Sequence, residues 1–258
     1  MTPLLSLQGL RVEFGARAAG RKRSVTVIDD LDLEVLEGET LAVVGESGAG
    51  KSTLAEAVVG LIHPTGGSIR FSGTELVGLR GQARRRMRSR MQMVAQNPLL
   101  ALNPRQRVGS QVEEPLRVHT SLDRSQRRQR ANEMIAALDL SPAMRDRLPH
   151  ELSGGQAQRV VLARALILEP SMIIFDEPTS SLDVSVQAGV LNLLQQLKAD
   201  HGLTYLFITH DLGVARHLAD RIAVMRSGRI VEQQTASGLF DDPQHPYTQT
   251  LLASALTV

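Results

Sequence analysis

Short apolar runs divided by polar turns give the chain its rhythm. Leu4 to Phe14 is apolar and partly alternating, and Leu31 to Val35 alternates Leu, Asp, Leu, Glu, Val before a Glu37-Gly38 turn. Both predict strands, because a strand sends successive side chains to opposite faces. The polar, basic stretch Gly15 to Ser24 between them predicts a loop. Thr40 to Val44, short and mostly apolar, predicts a strand that delivers the chain into a Gly-rich segment, after which Thr53 to Val59 reads as a helix. Gly66-Gly67 and Ser72-Gly73 bracket Ser68 to Phe71 with turn signals and predict a hairpin. From Asn97 to about His150, Pro98, Pro104, Pro115 and Pro142 punctuate helical stretches, including Ser125 to Leu138, and predict an inserted helical lobe. An apolar strand, Met172 to Phe175, then ends in two acids. A helix, Val184 to Lys198, and a strand, Thr204 to Ile208, follow, the latter ending at Thr209-His210. Strands alternating with helices predict an α/β fold with a mainly parallel sheet. No internal repeat interrupts this order.

Composition narrows the classes. With 258 residues and 42% hydrophobic content, the chain can bury a substantial core of one large domain. Trp is absent and aromatics are only 3%, which leaves little surface on which bases could stack. The absence of Cys excludes disulfides, thiolate metal sites, iron-sulfur clusters and a catalytic thiol, and permits a reducing compartment. The longest apolar stretches, such as Val160 to Leu168 and Met172 to Phe175, fall short of the roughly 20 residues that span a bilayer. Met1 to Leu10 has none of the order of a secretory leader, so a cytosolic protein is expected, with any membrane role supplied by a partner. Net charge is +2, yet Arg80, Arg84, Arg85, Arg86, Arg88 and Arg90, and then Arg124, Arg127, Arg128 and Arg130, form two clusters. These are read as solvated helix faces.

Three segments carry chemistry. Gly45-Glu46-Ser47-Gly48-Ala49-Gly50-Lys51-Ser52 fits G-x-x-x-x-G-K-[ST] between a strand and a helix. Such a loop curls so that backbone N–H groups face a polyphosphate; Lys51 neutralises β- and γ-oxygens, and Ser52 ligates Mg²⁺. Asp176 and Glu177 stand at the C-terminal end of an apolar strand, where open α/β sheets bind ligands. There Asp176 would hold Mg²⁺ and Glu177 would polarise an attacking water. Leu152-Ser153-Gly154-Gly155-Gln156 opens a helix, and Ser153 with Gln156 fits a capping box. The box leaves the two glycines unexplained, since each costs roughly a kcal/mol at a helix start unless something needs its bare backbone. Close approach of a phosphate would be such a need.

Taken in this order and spacing, Gly45 to Ser52, Leu152 to Gln156 and Asp176-Glu177 resemble an ABC ATPase over essentially the whole chain. The resemblance implies a P-loop NTPase core with a mainly parallel sheet, an antiparallel β subdomain and an inserted helical lobe. Its implied boundaries are 1–96 and 151–235 for the core, 97–150 for the lobe and 236–258 for a C-terminal tail. It implies ATP held by Gly45, Glu46, Ser47, Gly48, Ala49, Gly50, Lys51, Ser52 and Thr53. It implies that the signature residues Ser153, Gly154, Gly155 and Gln156, and Asp183 of a D-loop-like Ser180-Ser181-Leu182-Asp183, act on ATP held by the phosphate loop of a second subunit. It further implies Mg²⁺ on Ser52, Gln96 and Asp176, with Glu177, the Q-loop Gln96 and the switch His210 in catalytic roles. Phe14 fits either of two roles, a ring stacked on adenine or a strand core residue. The sequence departs from the family at Ala95 and Asn97 around Gln96, at Ala157 in the signature helix and at Ser181, none of which removes a reacting group.

Leu102-Asn103-Pro104-Arg105 and His245-Pro246-Tyr247-Thr248 resemble the importer branch for peptides, nickel and metal-chelating small molecules. Longer members of that branch continue past the His-Pro-Tyr segment, some with a Cys cluster. The shorter form seen here leans towards nickel or metallophore uptake. The resemblance implies two transmembrane permease subunits, a second ATPase subunit, identical or homologous, and an extracytoplasmic substrate-binding protein. It places the chain peripherally on the cytoplasmic face of the membrane. A soluble ABC ATPase working on nucleic acid is the alternative, and the Arg clusters are its only support.

Overall fold

The computed structural model describes residues 3–18, 21–180 and 182–255, with 16–18, 21–23, 184 and 255 described by backbone alone. In chain order the elements are β1 Pro3–Ala18, β2 Arg21–Leu36, β3 Thr40–Val44, α1 Lys51–Val58, β4 Gly66–Phe71 and β5 Thr74–Glu75. Next come α2 Gly81–Arg90, β6 Met91–Val94, α3 Pro98–Ala101, α4 Val108–His119, α5 Arg124–Ala137, α6 Gly154–Leu166, β7 Met172–Asp176 and α7 Val184–His201. The chain continues through β8 Thr204–Ile208, α8 Leu212–Leu218, β9 Arg221–Arg226, β10 Arg229–Thr235, α9 Ala236–Asp241 and α10 Pro246–Ala255. They form two compact units, one of Met1–Arg80 with Thr204–Val258 and one of Gly81–Leu203.

In the first unit β3 lies between β8 and β9 and is parallel to both, while β10 returns antiparallel to β9. All five residues of β3 and all five of β8 are buried, which explains why these strands read as continuous apolar runs instead of alternating. A separate antiparallel sheet runs in the order β2-β1-β4-β5. Of the stretch Gly15 to Ser24, expected as a loop, residues 15–18 and 21–24 instead continue the β1–β2 ladder, with Gly15 opposite Ser24 and Ala18 opposite Arg21. Backbone hydrogen bonds close such a ladder without apolar side chains, so a polar, basic stretch can extend it. The end of the chain packs back on β3 and β9: Leu239 of α9 and Tyr247 and Leu252 of α10 cluster with Ala42, Val44, Leu212, Ile222 and Val224. Burial of Leu239 and Leu252 contributes about 2 kcal/mol each to holding these helices down.

In the second unit β6 and β7 pair in parallel, with Val94 opposite Phe175. Helices α3 to α5 and the 3-10 turns Pro142–Asp146 and Pro149–Glu151 occupy the intervening stretch. Arg145 ties them together. It pairs with Glu113 of α4 and donates to Asn132 Oδ1 of α5 at 2.8 Å, and a Cβ on Gly109 would stand 2.4 Å from its Cγ. Glycine at 109 is what lets the arginine cross α4 so closely.

Candidate functional site

In the first unit β3 ends at Val44, and the loop that follows has Gly45, Gly48 and Gly50 at φ 155°, 83° and 106°. Only glycine adopts such dihedrals cheaply. Two of the three are also required by space. A Cβ on Gly45 would lie 2.1 Å from the Met225 carbonyl oxygen, and one on Gly50 2.8 Å from the Val27 carbonyl oxygen. The Gly228 N–H donates to Ala49 O at 2.9 Å, so the β9–β10 turn backs the loop from outside. Lys51, 5% exposed, opens α1 and folds its side chain back, donating from Nζ to Gly45 O at 2.8 Å and Glu46 O at 3.0 Å. The N-cap of α1 is Gly50, which has no side chain to cap the helix, and no acid stands in its first turn. The first-turn amides, the dipole end and an ammonium that donates to two loop carbonyls make this loop suited to an anion.

His210 is exposed at the end of β8, just before Asp211 caps α8 by accepting from Val214 N at 3.1 Å. Phe14 lies opposite Val25 on the β1–β2 ladder, and both are exposed, at 42% and 54%. Phe14 is therefore not a strand core residue.

In the second unit Asp176, 8% exposed, is the last residue of β7, and Glu177 follows at φ 48°. That left-handed conformation is sparsely populated by a residue with a Cβ. It turns the chain sharply at the end of the strand. Gln96 Nε2 donates to Glu177 Oε2 at 3.1 Å and to Ser180 Oγ at 3.3 Å, and Ser180 Oγ donates to Glu177 O at 3.0 Å. The amide and the carboxylate, 81 residues apart in sequence, are thus hydrogen-bonded neighbours. Asp183 caps α7, and the Ser185 hydroxyl and the Val186 amide hold its carboxyl below the usual carboxylate range. Ser181 lies outside the described residues.

Ser153 caps α6. Its Oγ accepts from Gln156 N at 3.3 Å, while Gln156 Oε1 accepts from Ser153 N at 3.0 Å. The capping box expected from the sequence is present. The glycines behind it divide. A Cβ on Gly155 would stand 2.8 Å from Val186 Cγ1, whereas one on Gly154 would make an ordinary 3.5 Å contact with Leu182 Cδ2. Packing of α6 against α7 therefore explains Gly155 without any phosphate.

One contact of the phosphate loop escaped the sequence reading. The Tyr247 hydroxyl accepts a hydrogen bond from Glu46 N at 3.2 Å, across 201 residues. Its only signal in the sequence was the His-Pro-Tyr-Thr segment itself, read there as a mark of lineage.

The ABC transporter family matches residues 28–180. The oligopeptide transport ATP-binding protein OppF of Salmonella typhimurium is 45% identical over 257 residues, covering 97% of this chain and 77% of that protein. The dipeptide transport ATP-binding protein DppF of Escherichia coli is 45% identical over 254 residues, covering 98% and 76%. Among solved structures, a dimeric post-hydrolysis state of the ATP-binding cassette MJ0796 bound to ADP and Pi superposes with a TM-score of 0.80 at 28% identity. It covers 90% of this chain and 98% of the other.

Proposed function

The chain belongs to the ABC transporter family and is an ATPase of that family, and from this premise we propose that it drives peptide import. In this reading two cassettes share their ATP sites, and hydrolysis is coupled to uptake through a pair of permease subunits fed by an extracytoplasmic binding protein. Relatives named for oligopeptide and dipeptide transport support peptides over the nickel or metallophore cargo that the shorter chain suggested. The same relatives give the nucleic-acid alternative no support.

The observation that carries the proposal is the loop from Gly45 to Ser52, with its enforced glycines, buried Lys51 and uncapped helix start. These features fit a triphosphate. The loop amides and those of Lys51, Ser52 and Thr53 would bind its oxygens, Lys51 would leave its carbonyls for β- and γ-oxygens, and the exposed Phe14 ring would stack on adenine. The family resemblance gives Mg²⁺ to Ser52, Gln96 and Asp176, residues whose hydroxyl, amide and carboxylate oxygens suit a hard cation. When bound, Mg²⁺ neutralises charge on the β- and γ-oxygens. Glu177 would orient the attacking water and take its proton, with Gln96 holding the carboxylate, and His210 would contact the γ-phosphate. Ser153, Gly154, Gly155, Gln156 and Asp183 would act on the nucleotide of the second cassette.

No helix among the described residues is long and apolar enough to cross a membrane, so attachment at the cytoplasmic face would run through the permeases. A cavity of about 330 Å³ in the second unit, lined in part by Pro115, Val118 and Leu168 together with Glu114, His119 and Arg164, supports the lobe at 97–150 as the permease contact. Leu100, next to Ala101 in sequence, is 84% exposed.

Replacing Lys51 with Ala tests the assignment, because the loop then loses the cation aimed at the phosphates. Mg-ATP affinity measured by calorimetry should fall at least a hundredfold, by about 3 kcal/mol. Unchanged affinity would overturn the proposal.

A further inference from the structure

The Gly45–Glu46 peptide is held at both ends. Its carbonyl accepts from Lys51 Nζ at 2.8 Å, and its N–H donates to the Tyr247 hydroxyl at 3.2 Å. Because the amide is planar, fixing the N–H also fixes the direction of the carbonyl that receives the ammonium. This plane adjoins Gly45, at φ 155°, where the chain is otherwise free to take several conformations. The partner of that N–H thus comes from outside the loop, from α10.

Tyr247 is itself well anchored. It is 8% exposed among Val44, Val224, Leu239 and Leu252, and the Arg226 guanidinium lies 4.7 Å above its ring centroid. Its own N–H donates to His245 Nδ1 at 3.1 Å. The turn leading to it is pinned by Glu232 of β10, whose carboxylate accepts from the amides of Gln244 at 2.8 Å and His245 at 3.0 Å. A continuous path of short contacts thus runs from β10 through the start of α10 to the peptide that receives Lys51.

We propose that Tyr247 is a positioning residue for ATP, acting through the Gly45–Glu46 peptide on the backbone of the phosphate loop, and that the His245-Pro246-Tyr247-Thr248 segment is a built-in brace of that loop. The proposal rests on the reading of Gly45 to Thr53 as that loop. With the hydroxyl in place the peptide stands in one orientation before nucleotide arrives. Without it the loop samples others, and affinity falls by the fraction that remains competent. That loss weighs equally on bound substrate and transition state, so KM rises while kcat holds. The coupling is also reciprocal: nucleotide bound at the loop must tighten α10.

The test uses the 258-residue chain with Tyr247→Phe, which keeps the ring, its packing and the Arg226 contact and removes only the hydroxyl. Gln249→Ala on the same helix, whose side chain bonds Pro243 O at 2.9 Å, serves as the control. In Tyr247→Phe the Kd for Mg-ATP by calorimetry, and the KM in the assembled transporter, should rise about fivefold, the worth of one hydrogen bond. The kcat should stay within about twofold of wild type. The Glu46 amide should exchange faster with solvent, and Mg-ATP should slow exchange over 244–255 in wild type more than in the variant. Equal Kd in Tyr247→Phe and wild type, a fall in kcat at unchanged KM, or the same rise in Gln249→Ala overturns the proposal. A wild-type chain that binds no ATP overturns instead the phosphate-loop reading beneath it.

Discussion

Gly45 and Gly48 belong to one motif, yet they are glycine for different reasons. A side chain at 45 would meet the Met225 carbonyl oxygen at 2.1 Å, whereas one at 48 would meet nothing within 4 Å and suffer only the φ of 83°. We therefore expect Gly45→Ala to destabilise the chain by about 2–4 kcal/mol, through overpacking added to strain. Gly48→Ala should cost about 1 kcal/mol. Denaturant titration of the two variants checks the difference, and equal losses would show that Met225 does not press on the loop. The spacing of the motif made these residues legible as a phosphate loop, but not the distinction between them, because the opposing atom comes from a distant strand. Gly155 teaches the same lesson in reverse. Its bareness looked chemical in sequence and is accounted for by the Val186 side chain. The φ of 48° at Glu177 left no trace in the sequence either, since nothing in Asp-Glu-Pro announces it.

Among elements, the strands best read from sequence were the fully buried ones. Thr40 to Val44 and Thr204 to Ile208 were placed without error, because five consecutive buried positions leave a pattern no loop would tolerate. Elements with no buried face were harder. α2, Gly81–Arg90, has no buried residue and was visible only as an Arg cluster read as a helix face, and the outer part of the β1–β2 ladder passed for a loop. The attachment of α10 was not legible at all, since it depends on a carboxylate on β10. Burial would raise the Glu232 carboxyl, but the hydrogen bonds it accepts, including those of the Gln244 and His245 amides, hold it below the usual carboxylate range. A depressed native pKa stabilises the fold above the ordinary glutamate value of about 4.3, and that contribution is lost as pH falls through the native value. Acidification from neutrality to below about pH 4 should therefore loosen 244–255 ahead of the core. Hydrogen exchange of that segment is the measurement. Glu232→Gln should show the loosened segment already at neutral pH, and a segment that stays protected in the variant would count against the anchor.

At the scale of the whole molecule, the residues assigned to chemistry are divided between the two units. Gly45 to Thr53, Phe14 and His210 lie in one, and Gln96, Ser153 to Gln156, Asp176, Glu177 and Asp183 lie in the other. If two cassettes share each ATP, Glu177→Gln should keep nucleotide binding and lower kcat about a hundredfold or more, the usual worth of a positioned general base. Mg-ATP then accumulates and holds the cassettes together, so light scattering should show the 28.1 kDa chain at twice its mass, alone or with a homologous partner. Adding Ser153→Arg should restore the monomer by filling the space where the helix start meets the γ-phosphate. A Glu177→Gln chain that stays monomeric with its partner and saturating Mg-ATP would argue against shared sites.

The cap of α6 carries a consequence for the sign of whatever meets it. The Ser153 oxygen accepts from Gln156 N–H, and the Ser153 N–H is taken by the Gln156 side chain. The box thus satisfies two amides at the helix start and holds its shape without a visitor. What the cap does not consume is the hydroxyl hydrogen, because an oxygen acting as acceptor still has its proton to give. With the helix dipole behind it, that outlet greets an incoming anion and discourages a cation. The surface discriminates by polarity before any fit of shape is tried.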